Sequence, residues 1–252
     1  MKRDEAILRE LNLHPLWKRR EDGGVGASVT PPPRDAQHET SFVHPVAVSA
    51  APGAADAAAT AREELIAGLP WPGLKIMVRD CTACRLRAAC TQTVFGAGDE
   101  KADWLFVGEG PGADEDIQGE PFVGQAGKLL DNMLHSIKLK RGDNAYIANV
   151  VKCRPPNNRT PEADEIATCT PYLHRQIALI QPKIIVALGK TASTSLLGRD
   201  AALGSLRGAV HDFHGIPLIA TYHPAYLLRT PLDKAKAWDD LCLAVRTAAG
   251  SR

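Results

Sequence analysis

Apolar residues fall into short runs and helical stripes from about residue 61 onward. Leu105-Phe106-Val107 is a compact apolar run that ends at Gly108, the pattern of a buried strand. Leu129, Leu130, Met133, Leu134 and Ile137 recur at helical spacing. A second strand is predicted over 146–151 and a third over 183–188, both nearly all apolar. Between them, Thr160-Pro161-Glu162 reads as a helix start, with Thr as cap, Pro in the first turn and acid near the positive end. That helix should run to about Ile180. Segments 210–213 and 216–222, joined by His214-Gly215, form a last pairing, and a closing helix is predicted from Asp233. Near-continuous apolar strands separated by helices imply a parallel sheet covered on both faces. The expected fold is α/β: a single domain over 61–252, with a central, mostly parallel sheet of about four strands flanked by helices. No internal repeat is present.

Residues 1–60 differ. Ile7, Leu8, Leu11 and Leu16 share a face of a short amphipathic helix over 1–20, which Pro15 bends or ends. Its alternatives are a solvated arm and a docking peptide for a protein partner. Ala, Pro, Gly and Ser dominate 21–60, including Pro31-Pro32-Pro33, so this stretch reads as a disordered linker. The extension 1–60 is thus expected to be disordered or weakly helical. It carries seven Lys/Arg against eight Asp/Glu, which argues against a basic tail that grips DNA.

With 252 residues the chain can bury a sizeable core. Net charge is only +1, so any nucleic-acid affinity must come from local charge. No apolar run approaches the ~18 residues of a membrane span, and no apolar stretch follows the first five residues. A cytoplasmic monomer is the expectation, with its six cysteines as reduced thiols or metal ligands.

Four of those cysteines form a pattern. Cys81 and Cys84 make a CxxC pair, and Cys153 and Cys169 a second pair with fifteen intervening residues. Four thiolates can complete a zinc shell or bind the irons of a cubane cluster, and spacing does not choose between them. Cys153 would follow a strand and Cys169 would lie two turns into the next helix, so a metal there would pin the N-terminal segment to the sheet. Cys242 lies on an apolar helical stripe and reads as core. Cys90 is near enough to compete as a ligand.

Gly108-Glu109-Gly110-Pro111-Gly112 follows the first strand. A dinucleotide-binding fold also begins this way, but its third glycine is missing. Four acids lie in the loop that continues it, 113–124, where they would repel a pyrophosphate, so a nucleotide-dependent oxidoreductase is a poor reading.

Here the residues resemble a known family. GEGPGADEDIQGEPFVGQAGKLLDNML (108–134) resembles the first motif of the family 4, iron–sulfur uracil-DNA glycosylases. YIANVVKCRPPNNRTP (146–161) resembles the second and HPAYLLR (223–229) the third. The four cysteines match the family's cluster ligands in order, and the resemblance covers about 75–248. It implies a monofunctional DNA-repair hydrolase that flips uracil out of single- or double-stranded DNA and hydrolyses its N-glycosidic bond, leaving an abasic site. It also implies that Cys81, Cys84, Cys153 and Cys169 hold a structural 4Fe–4S cluster.

Within that resemblance, Phe122 would stack on the flipped base. Asn149 would give a proton to uracil O4 and accept N3–H, a pattern that cytosine inverts. His223 would donate to O2 as negative charge develops there. Glu109, Gly110 and Pro111 would line the base pocket at the strand end. Glu115 would orient the water or counter charge on the sugar. Tyr226, Leu227, Leu228 and Arg229 would meet DNA, a leucine as wedge and the arginine at phosphate. Asn157, Asn158 and Arg159 form a polar loop near the cysteines. A related branch crosslinks to uracil-containing DNA through an inserted basic loop after the second motif. Cys153-Arg154-Pro155-Pro156 runs on without such a loop, which favours a turnover enzyme. The alternatives are that crosslinking relative and a non-catalytic, metal-stabilised DNA-binding protein.

Overall fold

The computed structural model describes residues 54–250. The predicted amphipathic stretch 1–20 lies outside them, as does the linker up to residue 53. Helix α1 (Ala54–Gly68) carries regular structure across the expected boundary at residue 61. It is followed by α2 (Trp71–Arg79) and the single turn α3 (Leu86–Ala89).

The sheet has six strands. Its central four are β3 (Ala145–Asn149), β2 (Trp104–Gly108), β4 (Ile184–Leu188) and β6 (Ile216–Thr221), all parallel. Two antiparallel edges complete it: the two-residue β1 (Ala97–Gly98) beside β3, and β5 (Val210–Phe213) beside β6. The parallel core follows the apolar runs, and the β5–β6 hairpin turns at His214-Gly215 as expected.

Side chains alternate across the strands, so each core strand feeds two apolar layers. Leu105, Val107, Ile185 and Ala187 pack with α1, α2 and the long helix α6 (Ala163–Ile180). Phe106, Ile147, Val186 and Ile219 face the other way, toward α5 (Gln125–Ser136) and the closing helix α10 (Lys234–Gly250). All five positions of β2, β3 and β4 are buried, which explains why these strands read as continuous apolar runs.

Helix α6 starts later than the sequence implies. Glu162, rather than Thr160, is its N-cap, because the Glu165 carboxylate reaches back to the Glu162 amide at 2.8 Å and closes a capping box. The remaining elements are short: α4 (Ala113–Gln118), α7 (Lys190–Leu197), α8 (Leu203–Leu206) and α9 (Pro224–Arg229). Among the described residues no helix is long and apolar enough to cross a membrane.

Candidate functional site

The chain leaves β2, β3, β4 and β6 at the same edge of the sheet. Neighbouring β2 and β4 send the chain in opposite directions, β2 to β3 and β4 to the β5–β6 side, and this reversal opens a crevice at the strand ends. A cleft of about 700 Å³ lies there, lined by Glu109 to Gly112, Asn149, Gly189 and the start of α9.

Asn149 ends β3 and is 2% exposed. Its Oδ1 has no hydrogen-bond partner among the described residues. A buried amide oxygen without a partner costs about 1–3 kcal/mol, so the position asks for a donor from within the cleft. The amide lies over Gly108, where any β-carbon would collide with both Asn149 Oδ1 and the Phe122 ring. Glycine at 108 is therefore what lets these two groups meet above the end of β2.

Phe122 holds a left-handed backbone with φ of 57°, unusual for an aromatic residue. Three supports over-determine it. Arg141 donates from Nη1 to the Pro121 carbonyl at 2.6 Å and from Nη2 to the Phe122 carbonyl at 2.7 Å. Gly127 leaves room for the Phe122 carbonyl, which a β-carbon at 127 would occupy. Glu115 completes the frame: Oε1 accepts from the Val123 and Gly124 amides at 2.9 and 3.1 Å, and Oε2 accepts from Gly112 at 3.0 Å. One carboxylate thus ties the Gly-rich turn to the Phe122 loop.

His223 caps α9. Its Nδ1 accepts from the Ala225 amide at 3.1 Å, which fixes the proton on Nε2. Desolvation in the cleft, assisted by the Arg229 charge, pulls its pKa down to about 4. The ring is therefore neutral at physiological pH, with one N–H directed away from the backbone. It stacks beside Phe122, with ring centroids 5.4 Å apart. Glu109 is held by the Thr191 hydroxyl at the start of α7.

Of the α9 residues, Tyr226 and Arg229 line the cleft, and Leu228 is 44% exposed. Leu227 is 1% exposed and packs with Met133, Ala237 and Leu241, so it is not presented to the surface. Tyr226 stacks on Tyr222 at 4.9 Å and donates to Asp233 at 2.6 Å.

The cysteines occupy a separate place. Cys81, Cys84, Cys153 and Cys169 all line one small cavity behind β3, with Lys152 in its wall. No group of three or more His, Cys, Asp or Glu among the described residues converges closely enough to hold a single metal ion. Four thiols around one cavity are a donor set for a metal centre. Burial raises the pKa of Cys84 and Cys153 and pushes Cys169 up to about 11. Cys90 adjoins Cys153, but its thiol donates to the Arg87 carbonyl, at 3.6 Å. Cys242 is partly buried on α10.

The polar loop of residues 157–159 braces this region. Arg159 and Arg85 both bind the fully buried Glu165, which the paired guanidiniums and the Glu162 amide hold at a pKa of about 2. Arg154 donates to Asn158 Oδ1 at 2.8 Å.

Arg141, Gly127 and Lys152 escaped the sequence reading. A glycine inside a helical stripe signals close backbone approach, and a lysine closing an apolar strand signals a buried cation. Arg141 left no local sign.

Residues 95–242 match the model of the Uracil DNA glycosylase superfamily. The chain is 45% identical to the type-4 uracil-DNA glycosylase of Archaeoglobus fulgidus over 162 residues, covering 61% of this chain and 81% of that protein. It is 48% identical to the Thermotoga maritima type-4 uracil-DNA glycosylase over 154 residues, 60% of this chain and 80% of the relative. Similarity to the type-5 uracil-DNA glycosylase of Pyrobaculum aerophilum is lower, 31% over 147 residues, 52% of this chain and 64% of that protein. The chain belongs to the uracil-DNA glycosylase superfamily and, within it, to the type-4 uracil-DNA glycosylases.

Proposed function

We propose that this chain, as its relatives' names imply, removes uracil from DNA by hydrolysing the bond between base and deoxyribose. The observation that carries this is the pairing of a partnerless Asn149 Oδ1 with a neutral His223 in one cleft. An acceptor for N3–H and a donor for a carbonyl oxygen match two edges of uracil. Phe122 offers a flat face to a base flipped out of the helix.

As the bond breaks, negative charge grows on the departing base and positive charge on the sugar. The Nε2–H of His223 supports the first at O2. Glu115 serves the second as a negative charge near His223, while its oxygens hold the loop that frames Phe122. Tyr226 and Arg229 line the cleft and the Leu228 between them in sequence is exposed; in this reading the leucine fills the place of the flipped base and the arginine meets phosphate. Leu227 supports them from the core. Glu115→Gln keeps an oxygen for the Val123 and Gly124 amides but removes the charge and the acceptor of the Gly112 amide. It is expected to slow single-turnover uracil release roughly tenfold, the effect of one charge several ångströms away. Thermal denaturation should show a loss of a few degrees, from the Gly112 amide left without its acceptor. An equal rate would leave Glu115 with the loop alone.

Cys81, Cys84, Cys153 and Cys169 are the proposed ligands of a 4Fe–4S cluster, supported by four thiols around one cavity. When bound, it joins α2, the exit of β3 and α6 into one unit. Anaerobically purified protein should be brown, with about four irons and four sulfides per chain. Cys153→Ser should abolish the colour and Cys242→Ser should keep it, whereas one zinc without sulfide would rule the cluster out.

Domain limits follow this reading: a glycosylase domain from about residue 61, with α1 as its lead-in, behind an extension that the reaction on short oligonucleotides does not need. The function itself is tested by incubating the protein with an oligonucleotide carrying one labelled uracil. Free uracil and an alkali-labile abasic site are the expected products. Binding without release would mark a non-catalytic DNA-binding protein, and a covalent adduct a crosslinking relative.

A further inference from the structure

Lys152 is 1% exposed and belongs to both sites. Its Nζ donates to the Asn149 carbonyl at 2.8 Å and to Gln176 Oε1 at 2.6 Å, and both acceptors are neutral. Its backbone amide donates to Cys169 Sγ at 3.3 Å, and the residue lines the cysteine cavity. Gln176 is fully buried and is itself fixed by donating to the Phe95 carbonyl at 2.9 Å. The Lys152 carbonyl accepts from Val94 at 2.7 Å, so the residue is anchored at every polar atom.

A buried ammonium with only neutral acceptors is costly unless opposite charge lies close by. Lys152 directly precedes Cys153 and its amide bonds Cys169, so the cysteine set is the source at hand. A neutral residue could hold the carbonyl of Asn149 less firmly, but it could not balance thiolates. Both demands are met by one long cation.

We propose that Lys152 couples the cysteine site to base recognition: its ammonium is the counter-charge of the thiolate-bound cluster and, by the same contact set, the clamp that positions the end of β3 under Asn149. This rests on the cluster and uracil readings given above. Lys152 is a positioning residue, since it reaches the base only through Asn149.

Two variants separate the roles. Lys152→Met removes charge and clamp together at similar volume. Gln176→Glu keeps an acceptor for Lys152, at the loss of the donor to the Phe95 carbonyl, and gives Lys152 a competing carboxylate beside the cysteines. Anaerobically purified holoproteins are challenged with a ferrous chelator such as bathophenanthroline, and iron loss is followed by absorbance. Single-turnover uracil release and DNA affinity are measured on the same samples. Lys152→Met is expected to lose iron at least about tenfold faster than wild type, the usual scale for losing an outer partner of a metal site. It should also release uracil about tenfold more slowly at unchanged DNA affinity. Gln176→Glu is expected to lose iron faster while releasing uracil at nearly the wild-type rate. Wild-type iron retention in either variant overturns the counter-charge, and wild-type uracil release by Lys152→Met overturns the clamp. If Lys152→Met does not fold, Gln176→Glu decides alone: rapid iron loss with intact uracil release supports the proposal, and any other result overturns it. Wild-type protein that carries no iron, or releases no uracil, would instead sink the readings beneath it.

Discussion

Asn149→Asp is expected to lose nearly all uracil release, roughly a thousandfold or more, and to acquire weak release of cytosine that rises as pH falls. The reason is the buried amide at the end of β3, whose Oδ1 waits without a partner. Oriented for uracil, the amide gives N–H to O4 and takes N3–H. Cytosine has an amino group in place of O4 and no proton on N3, so both contacts become clashes of like groups. A site built to bond one edge can reject the other by several powers of ten, because its own buried groups are left unpaired. Aspartate is nearly isosteric but has two acceptors when ionised. Burial favours its protonated form, which offers one donor and one acceptor in cytosine's order. Asn149→Ala should lose uracil activity without gaining cytosine activity. Thymine should stay excluded in every case, since its methyl group is refused by shape. Near-wild-type uracil release from both variants would show that Asn149 does not read the base.

His223→Ala is expected to slow single-turnover cleavage by at least about a hundredfold, as loss of an oxyanion donor does elsewhere, while DNA binding survives. The pH dependence of the wild type gives a second check. The His223 pKa is depressed to about 4, so the ring stays neutral above that pH and its Nε2–H remains in place. Single-turnover rates should therefore show no inflection near the ordinary histidine value of about 6.5. Because the folded-state pKa lies below the unfolded one, the group's contribution to stability is whole above about pH 6.5. It declines as pH falls toward 4. A rate that drops through pH 6.5 would mean that a charged imidazole does the work. Parallel losses of binding and cleavage in His223→Ala would make His223 a structural residue.

Much of this was legible in the chain because physics left a local mark. Strands β2, β3 and β4 are buried on both faces, so apart from Asn149 they had to be apolar and could be read as such. The four cysteines and the residues of the cleft came through motif order, which fixes identity but not geometry. Tertiary contacts account for what was missed. The edge strand β1 is two residues long and exists only by pairing with β3. Helix α6 begins at Ala163 because Glu165 caps it from within, which no reading of Thr160-Pro161 foresaw. Leu227 and Leu228 are adjacent and alike in sequence, and only the helix phase against Met133 and Leu241 decides which is core. Glu115 reads in sequence as a group for the water or the sugar, and nothing local shows that three backbone amides claim its oxygens.

The central claim is that one cleft reads uracil through the amide of Asn149 and the imidazole of His223. The most direct measurement uses three oligonucleotides identical except for one position, occupied by uracil, cytosine or thymine, and follows release of each labelled base in single turnover. Release of uracil alone, slower by several powers of ten or undetectable for the other two, is the predicted result. Comparable release of cytosine, or no release of uracil from bound DNA, would contradict it.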